Sequence, residues 1–565
     1  MRPIYFNDCF GWLHMATGRR GVVLCNPHGY EEQSVHRIWR GLACRLAAAG
    51  LPTLRFDYPG TGDSAGSDAD PARVAVWLDS VRAAIRCLRE QTGVEEVALV
   101  GLRLGALLAP VVAQDGEDIA AMVLMAPLLS GQAYTRQMKV LARMAATPLG
   151  APPPDIGQEN DIEMGGCLLT SETTAALGQI NMLALARAPA PRVLLLDRPD
   201  VPVGAQLAAR WQALGAEVRV EPLVGYRDMI RNAAHLAQAP HQVLAFLTDW
   251  LAEGVTPLPV ATPPSIQPLR LVLPDAIETP VFFGRNDTLF GIESTPIRAA
   301  VAATRPAVLF LNTGANNHIG ANRLTVKLAR DFAASGFASL RIDVAGIGDS
   351  NAWPGTPDNL TDSIGSCADV RAAIDWLEER GYRQCVVVGL CSGAHLAFNS
   401  AFLDSRISGM VLVNPQLFVF TEQDNLSLFK RWLQQAWQGM LRSKISLAPY
   451  TPKSLRRIFK RTAAKVAKNG ELSTLFGRLA NRGVETLLVY SGDDIGLDVL
   501  EIHLGPRAKI QDNHRNIRLE IIAGADHTMA KRWARDYLAA VLARFLLSTA
   551  PPVEVQHCQT VVRSH

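Results

Sequence analysis

The chain has no Cys-x-x-Cys pair. Its nine cysteines, at 9, 25, 44, 87, 167, 367, 385, 391 and 558, are scattered over 565 residues. That pattern offers neither a metal-ligand set nor a disulfide framework, and several of the thiols lie in apolar runs, so buried thiols in a reducing compartment are expected. Charge of one sign is also missing: the net charge is +3 with 19% charged residues, which gives no argument for nucleic acid as a partner. The opening Met1-Arg2-Pro3-Ile4-Tyr5-Phe6 has no basic stretch followed by an apolar one, and no apolar run approaches the length of a membrane span. A cytoplasmic, soluble protein without a signal peptide is expected. The glycine-rich Gly346-Ile347-Gly348-Asp349-Ser350 lacks the third glycine and the spacing of a dinucleotide fingerprint, so no cofactor is expected.

What is present is a duplication. Leu46 to Asp57 returns as Phe332 to Asp343, Gly60-Thr61-Gly62-Asp63-Ser64 as Gly346 to Ser350, Val81 to Ile85 as Val370 to Ile374, and Met122 to Pro127 as Met410 to Pro415, at offsets of 286 to 289. A chain of this length exceeds one core, and two domains of about 250 residues fit it. The expected division is a first domain over 1–252, a proline-rich linker over 253–276, a second domain over 277–550 and a flexible tail over 551–565. In the second copy short apolar runs at 307–312, 338–343, 385–389, 409–413, 486–490 and 517–521 alternate with helical patterns. This predicts an α/β fold: a mostly parallel sheet covered on both faces, with chemistry at the carboxyl ends of its strands. The Gly-x-Gly-Asp-Ser loops recur in both copies and read as structural turns.

In the second copy an apolar run ends in Gly389-Leu390-Cys391-Ser392-Gly393, followed by a helical pattern. That is the pattern of a nucleophile elbow, a sharp strand-to-helix turn with a strained central residue, here a cysteine. The first copy carries the same turn, Gly101-Leu102-Arg103-Leu104-Gly105, with arginine at its centre. A guanidinium stays protonated and cannot attack a carbonyl. The first domain therefore reads as a pseudoenzyme. Alignment puts Asp228 where the second copy has His527, and an Arg103–Asp228 ion pair filling the dead site is the favoured expectation over anion binding there.

The elbow, an acid after a later strand and a histidine after the last strand, in that order, resemble the α/β-hydrolase superfamily over most of both halves. Leu311 to Gly314, His318 to Arg323 and the Cys391 elbow look like serine-aminopeptidase-like hydrolases. Asp161 to Leu169 in the first copy resembles hydrolases associated with exopolysaccharide and exosortase loci. The resemblance implies Cys391 as nucleophile, His527 as base, and Asp494 as the acid, with Asp493 as second choice. It also implies an oxyanion hole from the backbone N–H groups of Ser392 and Ala315. Ser392 itself is the weaker nucleophile candidate. Asp498 and Asp526 read as solvated. Gly314, His318 and Arg323 are candidate substrate contacts, although His318 and Arg323 read equally well as pins for the loop they sit on. The Gly-x-Cys-x-Gly form is similar to that of polyhydroxyalkanoate synthases and dienelactone hydrolases, from which this chain departs in having two domains and Gly-Ala after the elbow.

Between Gln416 and Arg482, where such folds place a lid, 13 Lys and Arg face 3 acids, interleaved with apolar residues such as Trp432 and Trp437. Amphipathic helices with a basic face are expected over this lid. Its charge suits an anionic partner: an acyl-CoA, an acidic acyl-carrier protein or a membrane surface. The expected function is a cysteine-dependent acyl hydrolase or acyltransferase working through a Cys-His-Asp triad on a small ester or thioester. The other reading is a non-catalytic binding or scaffold protein built on two hydrolase folds.

Overall fold

The computed structural model describes residues 1–145, 161–230, 234–256, 269–297, 305–361, 365–418, 471–507, 510 and 514–549. Most of the expected lid, including Trp432 and Trp437, lies outside the described residues, as do half of the proline-rich stretch (257–268) and the 551–565 tail.

Each half forms one large mixed sheet, and the first half adds a two-stranded hairpin of Ile162–Met164 and Cys167–Leu169. In the first, the strand order is Arg2–Phe6, Cys9–His14, Thr53–Phe56, Arg20–Cys25, Glu96–Leu102, Ala121–Met125, Arg192–Asp197 and Glu217–Pro222. The second repeats that order with Ala276–Phe283, Leu289–Pro296, Ser339–Asp343, Ala307–Phe310, Cys385–Leu390, Ile407–Val413, Glu485–Ser491 and Ile517–Ile522. It adds the two-residue strand Leu271–Val272 at its outer edge, within the last residues of the stretch expected as linker. From the third position onward all pairings are parallel, and an antiparallel hairpin is added at one side. The central strands are buried along their whole length because helices cover both faces. Each sheet accordingly carries a separate apolar cluster on each face, around Trp77 and Leu42 in the first half and Phe398 and Leu538 in the second.

The hairpins that the sequence pattern did not reveal form much of the contact between the halves. Trp12 packs edge-on against Phe290 at 4.7 Å, and Phe10 and Ile292 complete an apolar cluster shared by both domains. The recurring glycine loops face each other across the same contact. Ser64 Oγ accepts from Phe10 N–H and donates to Asp57 O, and Ser350 Oγ does the same for Phe290 and Asp343. With each loop fixed in this way, its aspartate reaches into the other domain: Asp63 pairs with Arg341 at 2.5 Å, and Asp349 pairs with Arg55. Arg323 donates to the carbonyls of Gly62 and Ser64, and its counterpart Arg37 to those of Gly348 and Ser350. These matched contacts are isologous, as in a two-fold dimer, although they lie within one chain. The repeated Gly-x-Gly-Asp-Ser motif thus serves the contact between the halves in both copies.

Candidate active site

The elbow geometry is nearly identical in both halves. Cys391 has φ 56° and ψ −112°, and Arg103 has φ 55° and ψ −106°. The left-handed φ on a non-glycine residue costs free energy and lifts its side chain clear of the strand end. The flanking glycines make the turn possible: a Cβ on Gly389 would lie 2.1 Å from the Gly393 backbone. Cys391 precedes the helix Ser392–Leu403, whose first N–H groups have no partner within the helix.

The structure brings Cys391, His527 and Asp494 together. His527 Nδ1 lies 2.5 Å from Asp494 Oδ2, and Cys391 is near enough to act on the charge of its ring. Burial alone would lower the histidine pKa. The bond to Asp494 and the neighbouring Cys391 outweigh it and push it up to about 10. Asp494 is buried because it also caps the helix Ile495–Leu504, accepting from Gly496 N–H at 2.7 Å, whereas Asp493 is exposed. Two neighbours depart from expectation. Asp498 is fully buried, and Asp526 accepts from Thr528 and Ala530 N–H, shaping the loop that carries His527.

The expected oxyanion turn lies against the elbow. Gly314, at φ 56°, donates its N–H to Ser392 Oγ at 2.7 Å. That bond ties up the Ser392 hydroxyl as a brace and leaves its N–H at the open start of the helix. His318 and Arg323 face the first domain. His318 has both ring nitrogens engaged, by Asp343 at 2.8 Å and by Asp63 of the first domain at 2.7 Å, and its side chain is 1% exposed. The two carboxylates outweigh desolvation and hold its pKa well above the usual value. The main contacts of Arg323 are the carbonyls of Gly60, Gly62, Ser64 and Gly66. Arg323 also borders a cavity of about 420 Å³ between the domains, whose lining includes neither Cys391 nor His527. The loop-pinning reading of these residues is the one that matches their placement.

Among the described residues, His318, Asp343 and Asp349 form the one group whose ligand atoms lie within 4.8 Å of one another. An imidazole held between two carboxylates is protonated and offers no lone pair, and Arg55 and Arg341 balance the acids, so the group satisfies itself without a cation.

One contributor was missed from the sequence. Asn414 is fully buried at φ 47° and donates to His527 O at 2.8 Å and to Ser491 Oγ at 2.9 Å. Its own Oδ1 accepts from Ser491 N–H at 2.8 Å. It therefore ties the histidine loop to the end of the acid strand. The signal was present: the matching segments end in Asn414-Pro415 and Ala126-Pro127, a loss of polarity in the copy without a nucleophile.

In the first domain Arg103 is 2% exposed and its Nε bonds Glu31 at 2.8 Å, while Nη2 bonds Gln137 at 2.9 Å. The expected partner Asp228 is replaced by Glu31, from the helix Tyr30–Ala48. An ion pair does form at the first elbow, but with an acid from the helix that follows the first long parallel strand. Of the eight described cysteines all are free, and five are buried.

Residues 18–171 and 303–488, together more than half the chain, match the family model described as serine aminopeptidase, S33. The second stretch contains Cys391 and the oxyanion turn and ends before Asp494. Similar solved structures include a putative α/β hydrolase of unknown function from Agrobacterium tumefaciens (15% identity, covering 48% of this chain and 100% of that one, TM-score 0.29). Others are a CIB-like hydrolase from Thermoplasma acidophilum (15%, 48% and 99%, TM-score 0.29) and dienelactone hydrolase from Anabaena variabilis (15%, 49% and 100%, TM-score 0.31). No curated protein matches the chain.

Proposed function

The chain belongs to the serine aminopeptidase S33 family of α/β hydrolases, and from that premise we propose that its second half is a cysteine-dependent acyl hydrolase or acyltransferase acting on an ester or thioester. The observation that carries the proposal is the hydrogen-bonded Asp494–His527 pair standing beside Cys391 at a strained elbow. With Nδ1 held by Asp494, proton transfer falls to Nε2, which receives the thiol proton. Sγ attacks the acyl carbon, and the Ser392 and Ala315 N–H groups receive the oxyanion. As the tetrahedral intermediate collapses, His527 returns the proton to the departing alcohol or thiol, leaving a thioester on Cys391. Water or another acceptor then attacks, its proton passing to His527, and Cys391 is released as the thiol.

The Asp494 carboxylate favours the imidazolium that forms as Cys391 gives up its proton, which supports a sulfur nucleophile. The free cysteines support a reducing compartment, in keeping with a cytoplasmic location. A thiol-directed activity probe tests the reading. Labelling of Cys391 that disappears in His527→Ala supports catalysis, whereas a folded protein that no probe labels supports the scaffold reading.

The basic stretch 416–482 is the proposed docking element for an anionic acyl carrier, supported by its 13 Lys and Arg against 3 acids. Neutralising Lys453, Arg456, Arg457, Lys460 and Arg461 together should raise KM for an acyl-CoA or carrier-bound acyl group. An unchanged KM at low salt contradicts it.

A further inference from the structure

The first domain has lost its nucleophile, yet it touches both loops of the second domain that hold reacting groups. On one side, Asp63 bonds His318, His318 bonds Asp343, and Asp343 Oδ1 accepts from Asn312 Nδ2 at 2.9 Å. Asn312 in turn donates to Asn316 O at 3.0 Å, closing the oxyanion turn. On the other side stands the hairpin of Ile162–Met164 and Cys167–Leu169, within the Asp161 to Leu169 motif that the triad does not use.

This hairpin is built to reach across. Its tip is Gly165-Gly166, both at positive φ, and a Cβ on Gly166 would lie 2.3 Å from Asn322 Cβ. Only glycine allows that approach. Asn322 in turn donates to Thr528 O at 3.3 Å, one residue after His527. Glu163 Oε1 accepts from Arg532 N–H at 2.6 Å, and Oε2 lies 3.9 Å from Lys531 Nζ. Arg532 opens the helix Arg532–Thr549, so a carboxylate from the first domain caps the helix into which the histidine loop runs. Arg532 also meets Asp68 at 3.4 Å, and Asp68 accepts from Leu168 N–H at 2.8 Å, closing a ring of contacts between hairpin and helix start.

We propose that the first domain is a built-in positioning subunit for the second, and that Glu163 is a positioning residue that sets the His527 loop. This rests on the triad reading of Cys391 and His527. Glu163 acts through Arg532 N–H and touches no reacting atom. Loss of the carboxylate frees the start of the helix and with it the loop, so that the imidazole samples positions out of line with Cys391. A misplacement of about 1 Å in a reacting group costs on the order of 100-fold in rate, and a loosened loop costs part of that.

The test compares the full-length wild type with Glu163→Ala and Glu163→Gln. Steady-state kinetics are measured on an activated aryl ester, with amide hydrogen exchange across residues 527–532. Glu163→Ala should lower kcat about 10-fold with KM unchanged and speed exchange at Arg532 about 10-fold. Glu163→Gln, which keeps an oxygen for the Arg532 N–H, should restore most of both. Wild-type kcat in Glu163→Ala overturns the proposal, as does an equal loss in both variants. If Cys391→Ala retains the wild-type rate, the triad reading fails instead. The exchange comparison then still judges the hairpin contact by itself: unchanged exchange at Arg532 in Glu163→Ala removes it.

Discussion

Replacing Asn414 by alanine copies into the second domain the residue that the first domain carries at the same place. The side chain makes three hydrogen bonds, to His527 O, Ser491 Oγ and Ser491 N–H, at 2.8 to 2.9 Å and with no exposure. A typical buried hydrogen bond contributes about 1 kcal/mol net, and stranding buried partners adds to the loss, so the variant should be less stable by about 3 kcal/mol. Backbone strain adds little, because Ala126 already sits at φ 48° in the first domain. The larger consequence is kinetic. Without the bond to its carbonyl, His527 is no longer tied to the strand end that presents Asp494, and kcat should fall by roughly 100-fold while KM stays within about two-fold. Urea unfolding followed by tryptophan fluorescence gives the stability change, and turnover of an activated ester at a temperature where the variant is fully folded gives the rate. A folded Asn414→Ala protein with wild-type kcat would refute the claim that Asn414 fixes the catalytic loop, whatever its stability.

Two pH-dependent outcomes follow from the raised histidines. Asp494→Asn removes the carboxylate whose hydrogen bond helps hold His527 up to about 10, so the alkaline limb of kcat/KM should move down towards the ordinary histidine range, whereas Asp493→Asn should leave it in place. At the domain interface, burial alone would lower the pKa of His36, but Asp349 and Glu32 outweigh it and push it up to about 9. A raised folded-state pKa stabilises fully below the unfolded value near 6.5 and is lost as pH rises through about 9, a difference of at most ~3 kcal/mol. The gap in urea midpoint between wild type and His36→Gln should therefore shrink from pH 6 to pH 10. A constant gap removes the ion pair from the account.

The parts of the fold written in local pattern were legible from the sequence. The run expected at 385–389 is the strand Cys385–Leu390, and those expected at 409–413 and 517–521 fall within Ile407–Val413 and Ile517–Ile522. Buried parallel strands are continuous apolar runs, and the elbow is marked by its glycines. The antiparallel hairpins escaped because Cys9–His14 and Leu289–Pro296 mix glycine, polar and aromatic residues, and their burial comes from the other domain. The same cause explains His318 and Arg323: both look like site residues until their partners, about 260 positions away in sequence, are seen across the interface. Arg103 was assigned to Asp228 by alignment alone, whereas pairing is decided by which acid the fold brings alongside, and that acid is Glu31. Asn414 was visible only as a single change between two otherwise matching segments, which acquires meaning once its three partners are known.

The central claim is that the second domain carries an acyl group on sulfur. Intact-mass spectrometry of the full-length protein, quenched in acid after incubation with a panel of acyl thioesters and activated esters, tests it most directly. The account predicts a mass increase equal to one acyl group, mapped to Cys391, abolished in Cys391→Ala and strongly slowed in His527→Ala. An acyl adduct on Ser392 or on another cysteine, or turnover that persists undiminished in Cys391→Ala, would contradict it.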